Sequence, residues 1–95
     1  MRVTVSRFVP GDLEAIADYI ARDNPARALT FIREIREEIL RIGRNPRTYR
    51  MRPEIGKDAR LAVTGHYVIL FRITAKAVRI ERIVCGGRDL PTLLQ

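Results

Sequence analysis

The chain has one histidine, His66, and one cysteine, Cys85. His66 sits in Thr64-Gly65-His66, a tight-turn sequence, with no Asp, Ser or Cys close by to complete a nucleophilic triad. One His and one Cys supply neither a clustered metal site nor an internal disulfide framework. Gly86-Gly87 breaks a strand-like run, but the P-loop lysine and following helix of a phosphate loop are missing. Cys85 reads as a small buried residue at a strand end, with a slightly activated thiol beside Arg88 as the alternative. No conventional active site assembles from these residues. The remaining chemistry belongs to arginine, and it points to a binding protein or to an RNA-cleaving site built of basic groups.

The charge is unevenly placed. The net charge is +7, yet acids and bases nearly cancel up to Leu40. From Arg41 onward twelve bases face four acids, and ten of the twelve are arginine. Such a field suits nucleic acid or an acidic protein, and the planar guanidinium suits phosphate and carboxylate. It also serves as a solvated basic surface. The 95 residues fit one domain, residues 1–95, and 46% hydrophobic content supports a modest core. No apolar run is long enough for a membrane helix, and the first residues lack a signal-peptide core. The expected setting is the cytoplasm.

The elements that position these groups follow from periodicity. Residues 2–7 alternate as a first strand. Pro10-Gly11 punctuates, and Asp12 reads as an N-cap or a first-turn acid. Leu13, Ile16, Ala17 and Ile20 fall at helical spacing. Asn24-Pro25 restarts a second helix, with Ala28, Phe31, Ile32, Ile35, Ile39 and Ile42 as its stripe and Gly43 as its C′ residue. So short a joint makes the two helices an antiparallel hairpin. Residues 44–58 form a basic loop in which Tyr49 and Met51 either dock on the core or stack on a base. Residues 59–64, 67–74 and 78–85 read as three strands in a meander, the second apolar on both faces and therefore central. Ile83 and Val84 are consecutive apolar residues, which suggests that the last strand is buried on both faces at its end. Gly86-Gly87 then ends it with positive φ. The fold class is α+β: an N-terminal strand, a helix hairpin and a three-stranded antiparallel meander, with the helices on one face of the sheet.

This ordered set resembles the RelE/ParE superfamily of bacterial toxins, and within it the ParE branch. The residues that carry the resemblance run through almost the whole chain. They are Asp12 to Ile16 with Tyr19-Ile20, Asn24-Pro25, Phe31-Ile32, Asn45-Pro46, Arg52 to Gly56, Arg60-Leu61, Tyr67 to Arg72 and Ile83 to Leu90. The resemblance implies the toxin of a type II toxin–antitoxin operon, of the kind linked to plasmid stabilisation. Its target would be DNA gyrase, and its neutralising partner a ParD-like antitoxin that binds operator DNA and so links the toxin to it indirectly. The alternatives are a ribosome-dependent mRNA interferase or a toxin fold kept only for operon autoregulation. The chain departs from the pattern at Cys85, where histidine is usual. It also departs at Val68 and Leu94, where the ribonuclease branch carries an arginine and a tyrosine.

On this resemblance the toxic surface is expected at Arg60, Arg82, Arg88, Asp89, Leu90, Leu93 and Leu94. Antitoxin contacts are expected on the helices at Leu13, Ile16, Tyr19, Ile20, Phe31 and Ile35, and on the sheet at Tyr67 and Phe71. No catalytic residue, cofactor, metal, membrane or small-molecule substrate is expected.

Overall fold

The computed structural model describes residues 1–87 and 90–91. The chain runs β1 (Arg2–Val5), α1 (Val9–Ala21), α2 (Pro25–Arg44), a 3-10 turn (Pro46–Thr48), β2 (Arg60–Thr64), β3 (Tyr67–Ile73) and β4 (Ala77–Cys85). The four strands make one sheet in the order β1-β4-β3-β2. The β2-β3-β4 meander is antiparallel, and β1 joins β4 in parallel. This α+β architecture is the expected one. The position of β1 beside β4 is new, because a strand that pairs with the far end of the chain carries no local signal.

The helix hairpin packs on one face of the sheet. Ile16, Phe31, Ile35 and Ile42 meet Ile69, Phe71, Val78, Ile80 and Ile83 in one closed core. Full burial of a side chain of this size stabilises by about 2 kcal/mol. β3 is central and buried on both faces, from Val68 to Phe71, as its apolar run requires. On its other face Leu70 meets Ile55 and Ala59, with Leu61 and Leu90 against them. The loop after α2 therefore covers this second face.

Helix starts differ in how far they obey local rules. At α2, the Asn24 side chain accepts from the Arg27 N–H at 3.1 Å, and Pro25 is the first helical residue. At α1 the helix begins at Val9, with Pro10 tolerated in the first turn where no N–H partner is needed. Asp12 is thus a first-turn acid and not the N-cap. Gly43 is not a C′ residue either, because α2 continues to Arg44. A Cβ at Gly43 would lie 2.7 Å from Val3 Cγ2, so glycine lets α2 approach β1. The Met1 ammonium donates to the Gly43 carbonyl at 2.6 Å across the same contact.

Ile83 and Val84 are both buried, at 1% and 4% exposure, so the end of β4 is buried on both faces as expected. A bulge shifts the register: Leu70 pairs with Arg82 and Phe71 with Ile80, which leaves Glu81 unmatched. An extra residue reverses side-chain parity. Val78 and Ile80 before the bulge, and Ile83 after it, thereby all reach the core. Glu81 uses its position to hold two arginines, Arg72 at 3.0 Å and Arg79 at 2.8 Å.

Candidate partner-binding groove

β1 pairs with β4 only from Ala77 to Ile80. Among the described residues, no strand lies beside the outer edge of β4 beyond Ile80. The chain leaves β1 at Ser6, whose N–H donates to the Ile80 carbonyl at 2.8 Å and whose hydroxyl donates to the Glu81 carbonyl at 2.5 Å. It then turns into α1, which brings Asp12 to that edge. The Asp12 carboxylate accepts from the Ile83 N–H at 3.0 Å and from Arg82 Nε and Nη2 at 2.9 and 2.8 Å. Both side chains are largely buried, at 11% and 18% exposure. The hydrogen bond and the charge of Asp12 raise the Arg82 pKa above its ordinary value, so the guanidinium stays charged. Asp12 thus acts as the missing strand for one backbone donor.

From this clamp an open groove of about 970 Å³ runs between α1, the start of α2 and the β3–β4 end of the sheet. Its wall on the helix side includes Ala15, Ile16, Tyr19, Ile20 and Phe31, and its sheet side includes Tyr67, Ile83 and Cys85. The Phe31 and Tyr67 rings meet at 5.6 Å and 51°. Arg27 lies 5.2 Å from the Phe31 ring centroid and pairs with Glu34 at the rim. Gly65 closes the β2–β3 hairpin with a φ of 59°, and a Cβ there would sit 3.2 Å from Phe31. Gly86 donates to the His66 carbonyl at 2.9 Å and continues the β3–β4 ladder past the strand ends. Burial raises the Tyr67 pKa, with Cys85 and Tyr19 adding to the shift, so its phenol is neutral near pH 7. The surface offered is apolar and aromatic, lies beside an unpaired strand edge, and suits an extended or helical segment with apolar side chains.

Five of the expected antitoxin-contact residues line this groove: Ile16, Tyr19, Ile20, Phe31 and Tyr67. Tyr19 is the most exposed of them, at 63%. Leu13 packs against the core from its edge. Ile35 and Phe71 are corrections. They are 0% and 1% exposed and lie between the layers, because the buried stripe of α2 and the inner face of β3 are consumed by each other. Periodicity marks a buried face without saying which of its residues stay open.

Among the described residues, the basic candidates Arg60 and Arg82 do not come together. Arg82 is committed to Asp12, and Arg60 Nη1 donates to the Tyr49 carbonyl at 2.5 Å. β3 stands between their strands, at two strand spacings or about 10 Å. Leu90 packs on the Leu70 side of the sheet. Arg88, Asp89, Leu93 and Leu94 lie outside the described residues. Cys85 shares the face of Ile83 but lines the open groove, and so is exposed and not buried. Among the described glycines only Gly65 has a positive φ, so the Gly86-Gly87 turn is made without it. Asp12, Arg27 and Ile83 were missed as groove residues. Only the parity change after Arg82 hinted at any of them. Among the described residues no group of three or more His, Cys, Asp or Glu is placed to hold a metal, and no helix is long and apolar enough to cross a membrane.

No curated protein matches the chain. Among solved structures, a chain of a chromosomal ParDE toxin–antitoxin system from P. aeruginosa superposes with a TM-score of 0.78. It is 25% identical in sequence, and the match covers 90% of this chain and 95% of that one. The family model for the ParE toxin of the parDE type II toxin–antitoxin system matches residues 4–90. With the family's strand, helix hairpin and meander in place over nearly its full length, this chain belongs to the ParE toxin family.

Proposed function

We propose that the protein is a cytoplasmic toxin that inhibits DNA gyrase and blocks replication, and that a ParD-like antitoxin neutralises it by filling the groove. The observation that carries the antitoxin half is the apolar groove beside the unpaired edge of β4. It offers backbone groups for an added strand and pockets for apolar side chains. The antitoxin would bring operator DNA to the complex through its own DNA-binding part. The gyrase half rests on family membership, and the state of the arginines favours it over mRNA cleavage. A phosphate-cleaving site needs converging basic groups that are free to stabilise developing charge. Arg60 and Arg82 are each tied to a partner within the fold, on strands separated by β3.

The test is a supercoiling assay with purified toxin, gyrase and plasmid, scored for supercoiling and trapped linear DNA with and without the ParD-like partner. Inhibition that the partner reverses is the expected result. Intact gyrase activity together with cleaved mRNA on translating ribosomes would replace this reading with the ribonuclease one.

A further inference from the structure

The strap that joins α2 to β2 is strongly basic. Residues 44–60 hold six bases against two acids. Arg52 is spoken for by Glu54, through a 2.5 Å contact that lowers the Glu54 pKa. Arg60 is turned inward to Tyr49. That leaves Arg44, Arg47, Arg50 and Lys57, all exposed and none in an ion pair among the described residues. The strap is held in place and not merely tethered. Pro46 is buried, Met51 bridges to Arg60, and the Arg52 N–H donates to the Ala59 carbonyl at 2.7 Å.

We propose that Arg44, Arg47 and Arg50, supported by Lys57, form a nucleic-acid-backbone contact for duplex DNA, separate from the groove. Phe31 in the groove and Arg44 in the strap lie thirteen residues apart on α2, about 20 Å along its axis. Both surfaces can therefore be occupied together. The groove is apolar and suits a peptide. The strap presents exposed cations, with Met51 its one large exposed apolar side chain, which suits a polymer that offers phosphates. Tyr49 is excluded as a base-stacking group. Its ring packs edge-on at 5.5 Å from Phe71 and its hydroxyl donates to Glu38 at 2.7 Å. The contact is therefore to backbone phosphate and independent of sequence. It holds whether or not gyrase is the target, and on gyrase it would let the toxin grip the DNA as well as the enzyme.

The experiment is fluorescence anisotropy of a labelled duplex with the full chain alone, across a salt series. Contact with about three phosphates predicts a log–log salt slope of about −3. The triple variant Arg44→Gln, Arg47→Gln, Arg50→Gln should lose at least about tenfold in affinity at low salt and most of that slope. Replacing the same three residues with lysine should keep the slope. The charge-matched triple Arg22→Gln, Arg33→Gln, Arg36→Gln should stay within about threefold of the parent. Equal loss in both glutamine triples would overturn the proposal, since binding would then be a property of net charge. No binding at low salt would overturn it directly. A polyglutamate peptide held through these three arginines more tightly than the duplex would replace it with an acidic protein partner.

Discussion

Asp12 is the residue on which the groove end depends. It joins the first turn of α1 to β4 through one backbone and two guanidinium hydrogen bonds. Removing one partner of a largely buried pair leaves the other charge uncompensated, which costs about 3–5 kcal/mol. Asp12→Ala should therefore lower unfolding free energy by about 3 kcal/mol or more in urea titrations. Tyr49 makes a second prediction. Burial, with the Glu38 carboxylate as acceptor, pushes its pKa from 10.0 up to about 12. The folded state thus holds the phenolic proton more tightly than the unfolded chain. This contribution is complete below pH 10 and is lost as pH rises from 10 to about 12. Urea titrations across that range should show a decline in stability that is shallower in Tyr49→Phe.

At the scale of elements, the parallel pairing of β1 with β4 and the approach of α2 to β1 are coupled through Gly43. A methyl group there meets Val3 in a contact of 2.7 Å, so the strand or the helix end must shift. Gly43→Ala should destabilise by about 1–3 kcal/mol, against the usual gain from alanine in a helix. A lowered melting temperature with unchanged helix content checks this. The same element view explains why β4 could not be read as a plain alternating strand. Its Val78, Ile80 and Ile83 obey period two only on either side of Glu81. The bulge that reconciles them is visible in sequence only as a broken pattern.

At the scale of the molecule, two surfaces lie at opposite ends of α2: an apolar groove near its start and a basic strap after its end. Tyr19 tests the first. It is 63% exposed and lines the groove, so its truncation should spare the fold. Tyr19→Ala should weaken antitoxin binding by roughly ten- to thirtyfold, about 2 kcal/mol, in calorimetric titration, with an unchanged melting temperature. An unchanged affinity would place the antitoxin elsewhere on the toxin.

By itself, the sequence determined the elements whose signals are local. Asn24-Pro25 starts α2, Gly65 turns the β2–β3 hairpin, and the two-faced apolar run of Tyr67 to Ile73 makes β3 central. The family pattern was legible for the same reason, since it is an ordered string of such local features. Tertiary structure alone decided which apolar residues stay open. Tyr19 and Ile16 share one helical face, yet Ile16 is 4% exposed in the core while Tyr19 is 63% exposed on the groove wall. Tertiary structure alone also spent the arginines. Arg82 meets Asp12 from seventy residues away, and no spacing rule can see a partner brought in by a fold.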